Sequence, residues 1–305
     1  MAKIALVGAG DVGIAFAKEF CRSMHQIVVL TGSKKPQLKH INVEVRLTDY
    51  STESLLRNLQ DCDGVISTLS GPDDFYIKAH SNILEACRQS VRCKHMIPSE
   101  WNINLEDFPD LPMFSGPTHE VVRSKLRSQQ NVKWTMICHG WFMEYLLTQE
   151  KNPLREIGIA WAMNHHTKVF DMYGDGTQKV TLTTLGDTAR ATLAVITDSI
   201  ATGSQMRQAT LLAGESVTYK DLFEVVKGQD PAWQSRNVTL TEVVNQLHSL
   251  LNSNSPETAL HQMIIQGFTN ANHIPKEKAL AWGVGPLTGL HPTSIQEFLK
   301  EAGGL

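Results

Sequence analysis

What most limits the fold of this chain is a glycine turn near its N-terminus. Residues Lys3–Val7 read as a buried strand, and Gly8-Ala9-Gly10-Asp11-Val12-Gly13 follows at once. Residues 12–22 then have helical spacing, with Ile14, Ala15, Ala17 and Phe20 available for an inward face. Gly8 permits the tight turn, Gly10 lets the backbone approach a pyrophosphate, and Gly13 lets helix and strand pack closely. The free N–H groups at the helix start favour an anion, aided by the helix dipole. A GxGxxG pattern alone is weak; between a strand and a helix it is strong. Gly8, Gly10, Asp11, Val12 and Gly13 are therefore the expected cradle of a dinucleotide.

The alternation continues downstream. Strands are expected at 27–30, 43–46, 64–69, 95–97 and 134–138, and helices at 51–59, 74–90 and 118–129. Such βαβ units imply right-handed crossovers and a parallel sheet. The expected fold is α/β: a Rossmann-type doubly wound parallel sheet with a smaller, mostly helical C-terminal substrate region. Residues 1–150 are the expected dinucleotide-binding domain. Residues 151–305 are the expected substrate-binding region, interleaved with late strands of the sheet. There, Gly174-Asp175-Gly176 reads as a turn between two extended segments. Thr239 with Glu242, Ser255-Pro256, and Thr293 with Gln296 read as helix starts, Asp187 as a helix cap, and Gly303-Gly304 as a helix end.

Composition narrows the function classes. Hydrophobic residues make up 42% of the 305, enough for a sizeable core. The net charge of -3 gives no basic excess for nucleic acid, and no apolar run approaches a bilayer span. The N-terminal apolar run ends in glycines, unlike a secretory signal. Five cysteines without a CxxC pair fit reduced thiols in a cytoplasmic protein. No HExxH, HxxEH or GxSxG pattern occurs, so no catalytic metal and no hydrolase elbow is expected. The expected partner is a small aromatic molecule, and the expected state a monomer or homodimer.

The residues after the second strand bear on the choice of dinucleotide. An NAD site usually has a carboxylate there, bound to the ribose hydroxyls. This chain has Thr31-Gly32-Ser33-Lys34-Lys35, with no acid. Thr31, Ser33 and Lys34 stand where a 2′-phosphate would lie, which favours NADP(H).

Further stretches carry a resemblance. These are 43–50 (VEVRLTDY), 63–67 (DGVIS), Ile97-Pro98-Ser99-Glu100-Trp101, Val132-Lys133-Trp134-Thr135, Gly140-Trp141-Phe142, and Gly174-Asp175-Gly176 followed by Asp187-Thr188-Ala189. With the glycine loop they resemble the NmrA-like and isoflavone-reductase-like branch of the atypical short-chain dehydrogenases, especially its fungal members, over about the first 215 residues. The resemblance implies a cofactor path along the carboxyl ends of the strands. Asp49 and Tyr50 would lie near the adenine, and Thr68, Leu69, Ser70 and Gly71 would border the ribose and nicotinamide. Pro98, Ser99 and Glu100 would sit beside the nicotinamide.

One departure matters. Reductases of this family carry a lysine in the helix after the Pro-Ser-Glu segment, proposed there as the general acid or base. In this chain the position falls on His119 if the following loop has one extra residue, and on Glu120 if it has none. Lys125 is too far along. His119 is a candidate proton carrier because its unperturbed pKa is near neutral. Glu100 is a candidate acid, since a carboxyl buried after a strand would have a raised pKa. Trp101, His139, Trp141, Phe142, Tyr145 and His165 are candidate pocket residues, aromatic or with polar tips. Three functions stay open. The first is an NADPH-dependent reductase of an aromatic or heteroaromatic secondary metabolite, delivering hydride to an enone, quinone methide or iminium carbon. The second is a non-redox isomerase or cyclase on the same fold. The third is an NADP(H)-sensing regulatory protein.

Overall fold

The computed structural model describes residues 1–101, 103–251, 255 and 257–305. The first half is the expected alternation: β1 (Lys3–Val7), α1 (Asp11–Phe20), β2 (Gln26–Thr31), β3 (Glu44–Leu47), α2 (Thr52–Leu59), β4 (Gly64–Ser67), α3 (Asp73–Gln89), β5 (His95–Ile97), α4 (Gly116–Arg127) and β6 (Lys133–Trp134). These strands form a parallel sheet in the order β3-β2-β1-β4-β5-β6. The order reverses between β1 and β4, and ligands of doubly wound sheets bind at the carboxyl ends of strands beside such a switch point.

Strand periodicity sends alternate side chains to opposite faces. Ala5, Val7, Val28, Leu30 and Val65 pack on one side with residues of α2, α3 and α4. Ile4, Leu6, Ile27, Val29 and Ile66 pack on the other with α1 and a later helix, α5 (Leu185–Thr202). On α1 the fully buried face is Phe16, Ala17 and Phe20, while Ile14 and Ala15 are half-buried. Each buried phenylalanine contributes about 2–3 kcal/mol of transfer free energy.

The strand expected at 134–138 is instead two. β6 pairs with β5, whereas β7 (Met136–Cys138) pairs with β12 (Ala209–Leu211). Pro98 ends β5 and has no N–H to continue that ladder. The buried Thr135 Oγ1 meets Thr210 Oγ1 at 2.8 Å and draws the chain to its new partner. β8 (Trp141–Phe142) then leads into β9 (Met163–Asn164), β10 (Val169–Tyr173) and β11 (Lys179–Thr183). The 174–176 turn does join two extended segments, but they lie in different sheets. β11 sits between β8 and β13 (Glu215–Thr218), and β10 between β9 and β14 (Gln234–Val238).

Helices α6 (Tyr219–Gln229), α7 (Leu240–Leu250), α8 (Glu257–Gln266) and α9 (Ile295–Glu301) complete the chain. Thr239 caps α7 by accepting the Glu242 N–H. Ser255 Oγ accepts the Glu257 N–H, and Pro256 lies outside the described residues. The last helix starts one residue later than expected: Ser294 and Glu297 form its capping box. The Thr293 N–H is taken by Asp187 at 2.8 Å. Asp187 is one turn inside α5; the cap itself is Thr184. Among the described residues, no helix is long and apolar enough to cross a membrane.

The start of α5 also covers a buried acid. Both carboxyl oxygens of Glu144 accept the Leu185 N–H, at 2.9 and 3.1 Å. Burial, with the nearby Asp187 charge, pushes its pKa up to about 7. The folded protein thus holds this proton more tightly than the unfolded chain. That contribution is complete below the ordinary carboxyl pKa and disappears as pH rises through 7. Glu144→Gln should therefore stabilise the protein at pH 8 by about 3 kcal/mol and leave it nearly unchanged at pH 4. Urea midpoints at the two pH values check this; equal shifts at both would refute it.

Candidate active site

The glycine loop lies at the switch point. Gly8 has φ +107°, and a Cβ there would come within 3.0 Å of Thr68 Oγ1. A Cβ on Gly13 would lie 2.3 Å from the Gly8 carbonyl oxygen, so α1 packs on β1 only because this residue has none. Around Gly10 the opposite holds: nothing stands within 4 Å of an ideal Cβ, and the loop is open beside the N–H groups of α1. An open backbone cradle at a helix start fits the diphosphate of a dinucleotide. Asp11 and Val12 open α1, where N–H groups have no partner within the helix. Thr68 supports the loop from behind, its Oγ1 donating to the Val7 and Gly8 carbonyls. Leu69 is buried, while Ser70 and Gly71 are exposed at the mouth.

The other end of the cleft lies beyond β2. Thr31 Oγ1 donates to the Ser33 carbonyl, and the Tyr50 hydroxyl accepts the Gly32 N–H at 2.9 Å. Ser33 and Lys34 are exposed. Tyr50 meets Phe75 edge-to-face, their centroids 5.7 Å apart, which supplies a flat apolar wall. The Asp49 carboxylate turns back on Ser51, accepting the N–H at 2.9 Å and the Oγ–H at 2.7 Å. It braces the turn before α2, whose cap is Ser51.

The Pro98-Ser99-Glu100 segment and α4 build a compact ionic group. Arg123 grips Glu100 with two bonds, Nε to Oε1 and Nη2 to Oε2, both 2.9 Å. His119 Nδ1 meets Glu100 Oε2 at 2.8 Å. His119 and Arg123 are four residues apart, so one face of α4 presents both to the same acid. Burial alone would raise the pKa of Glu100. The hydrogen bonds and charges of His119 and Arg123 overcome it and hold the pKa near 2. The expected raised pKa does not arise, and a carboxylate ionised at neutral pH is no proton donor. Its effect is to fix His119: a carboxylate only accepts, so Nδ1 carries the proton and Nε2 is left for the cavity. Glu120 points elsewhere, paired with Arg127.

The histidine is also stacked. Its ring lies parallel to Tyr76, 3° between planes and 3.9 Å between centroids, and Tyr76 leans on His80 at 4.1 Å. The Tyr76 hydroxyl donates to the Ser99 carbonyl. His80 is fully buried, which lowers its pKa to about 4 and keeps it neutral. Its Nε2 accepts the Ser99 N–H and its Nδ1–H donates to the Tyr76 carbonyl. α3 thereby fixes the backbone that positions Glu100.

His119 borders a cavity of about 330 Å³. Ser70, Gly71, Tyr76 and Ser99 line part of it, and Trp101, His139, Trp141, Phe142 and Tyr145 its aromatic part. Trp101 is held by Nε1 donating to the Ser67 carbonyl at 3.1 Å and by an edge-on contact with Phe16. Burial depresses the His139 pKa to about 3, so its ring, stacked on Phe142, is neutral. His165 is not on this cavity. It lines a neighbouring one of about 210 Å³, reached past Tyr145 and Ile157, because β9 turns it towards Trp233. Among the described residues, no group of three or more His, Cys, Asp or Glu could hold a metal ion.

Sequence reasoning missed Tyr76, His80 and Arg123. The signal for Arg123 was its i,i+4 spacing from His119, opposite a buried acid. Tyr76 and His80 share the same spacing on α3, but nothing in the sequence brings that helix to α4.

Comparison with known proteins places the chain. No family model matches it. It is 31% identical over 298 residues to the oxidoreductase swnR of Metarhizium robertsii, covering 97% of this chain and 96% of that one. It is 24% identical to an NmrA-like family domain-containing oxidoreductase of Gibberella moniliformis, over 73% of this chain and 75% of the other. Among solved structures, an isoflavone reductase superimposes with a TM-score of 0.72 at 15% identity, covering 98% and 99% of the two chains. The NADPH-dependent quinone oxidoreductase QOR2 of Escherichia coli, solved with NADPH, gives 0.72 at 18%, covering 98% and 99%. The structural likenesses concern the fold, and the swnR likeness extends through the whole length. With the glycine cradle, the strand order and the Pro-Ser-Glu segment already in place, the chain belongs to the NmrA-like, isoflavone-reductase-like family of oxidoreductases.

Proposed function

We propose that this protein is an NADPH-dependent reductase of an aromatic or heteroaromatic secondary metabolite. One observation carries the reading: His119, oriented by an ionised Glu100, borders a cavity with the strand-end residues Ser70, Gly71 and Ser99 on one side and an aromatic wall on the other. When bound, NADPH supplies a hydride from its nicotinamide C4 to an enone, quinone methide or iminium carbon. The chain does the rest. The loop Gly8–Gly13 holds the diphosphate, Thr31, Ser33 and Lys34 the 2′-phosphate, and Tyr50 the adenine. Ser70, Pro98 and Ser99 flank the nicotinamide. Trp101, Trp141, Phe142 and Tyr145 orient a flat substrate and exclude water. As the imidazolium, held through Nδ1–H by the Glu100 carboxylate, His119 passes its Nε2 proton to the oxygen or carbon that becomes electron-rich and is left neutral. In this scheme residues 1–150 carry the cofactor, and residues 151–305 complete the pocket through Ile157 and Met263.

The test follows the nicotinamide absorbance and the product mass together, with purified protein, NADPH and a panel of aromatic enones and iminium precursors. Lost absorbance with a product two hydrogens heavier supports the reductase. New product at constant absorbance overturns it. That outcome would select the isomerase or cyclase reading, which the lack of a lysine at both 119 and 120 specifically favours. Cofactor choice has its own test. Changing Lys34 and Lys35 together to alanine should weaken NADPH binding by roughly tenfold or more and leave NADH binding within about twofold. Equal losses for both cofactors would remove the 2′-phosphate role.

A further inference from the structure

One cation near the glycine loop has no part in the scheme above. Arg155 lies on an irregular segment, residues 147–157, between β8 and β9. The segment is pinned just before it and at its own backbone. Leu154 is buried against the α1 and α5 face of the sheet, and Gln149 Nε2 donates to its carbonyl at 3.1 Å. The Arg155 backbone N–H donates to Asp11 Oδ2 at 3.2 Å. Its Nη2 reaches Ser70 Oγ at 3.5 Å, the outer limit of a hydrogen bond. No carboxylate pairs with the guanidinium among the described residues.

These contacts give Arg155 two fixed neighbours. Asp11 is the first residue of α1, beside the open backbone at Gly10. Ser70 follows β4 and lines the reactive cavity. A guanidinium between them spans the path from the diphosphate cradle to the nicotinamide side. Asp11 explains why a cation belongs there. A carboxylate in the first turn suits the helix dipole of an empty loop but opposes a bound diphosphate. Here it accepts a backbone N–H and so brings the arginine's own charge to the anion site. Arginine also matches phosphate oxygens with a planar fork of donors.

We infer that Arg155 is a cofactor-binding residue, a strap that closes over the glycine loop and clamps the diphosphate of the dinucleotide. The inference rests on the dinucleotide reading of the loop. It makes the affinity for any such cofactor depend on a segment outside the Rossmann strands. It also separates two cationic contributions: Lys34 reads the 2′-phosphate, which only NADP(H) has, whereas Arg155 reads the diphosphate, which both cofactors have.

The experiment measures dissociation constants of NADPH, NADH and adenosine 2′-monophosphate for the full chain, by tryptophan fluorescence or calorimetry at two salt concentrations. Arg155→Ala should raise the constants for NADPH and NADH alike, by roughly tenfold, and flatten their salt dependence. Adenosine 2′-monophosphate, which lacks the diphosphate, should bind as before. Arg155→Lys should recover part of the loss, because the charge remains and the fork does not. An unchanged melting temperature shows that the loss is not unfolding; the exposed side chain makes that the expected result. Binding of both dinucleotides within twofold of wild type in Arg155→Ala would overturn the clamp and leave the cofactor reading intact. A loss for NADPH alone would also overturn it. Failure of the unaltered protein to bind either dinucleotide would overturn both.

Discussion

His119→Ala is expected to lower turnover of an enone or quinone methide by about 10²- to 10⁴-fold, the ordinary contribution of a positioned proton carrier. NADPH affinity should stay within about twofold, because no cradle residue changes. The same variant separates substrate classes. Adding hydride to an enone leaves an enolate that must be protonated, whereas adding it to an iminium carbon gives a neutral amine with no proton owed. His119→Ala should therefore spare an iminium substrate and cripple an enone. Single-turnover rates with one substrate of each kind decide it. Full activity on both would remove His119 from the chemistry. Glu100→Gln should act through the same ring. An amide no longer fixes Nδ1–H, so the pH profile of turnover should change as well as its height.

The second large effect is on stability. Arg123→Met should cost about 3–5 kcal/mol at pH 7, since it leaves Glu100 buried and ionised with His119 as its remaining partner. The deficit should depend on pH in a definite direction. With Arg123 in place, the pKa near 2 means Glu100 contributes stability above the usual carboxyl range and loses it as pH falls towards 2. Without the guanidinium the folded-state pKa rises, so acidification neutralises the stranded charge. The gap between variant and wild type should narrow from pH 7 to pH 4. The double change Glu100→Gln with Arg123→Met should be more stable than Arg123→Met alone. Urea titrations at both pH values test this. A pH-independent deficit below about 1 kcal/mol would show that the pair is not the buried charge system described.

The fold was legible where one local rule governed each element. The glycine loop stood between an apolar strand and a helical spacing, and Gly13 sits where any Cβ would strike the Gly8 carbonyl. Alternating Ile4, Ala5, Leu6 and Val7 fill two opposite cores because a strand has period two. The rule failed at 134–138. Five residues suited to a strand looked like one strand, and the change of partner at Thr135 depends on Thr210, seventy-five residues away. The site was legible in its residue types more than in its chemistry. Glu100 and His119 were candidates separately, but only the packing of α4 shows that Arg123 joins His119 on Glu100 and keeps the acid ionised at neutral pH. Arg155 gave no signal at all, because an irregular segment has no periodicity to mark which side chain points inward.

The Glu100–Arg123 pair has a consequence for how such a site diversifies. The arginine meets the acid with two bonds of its own, so the buried charge keeps a partner when position 119 changes. That position is a socket: its occupant is held by an anchor that has a second support. A single codon change at 119 can exchange one proton-carrying group for another, or remove it, without rebuilding the cleft. Divergence of chemistry within one scaffold then requires no compensating mutation in the core.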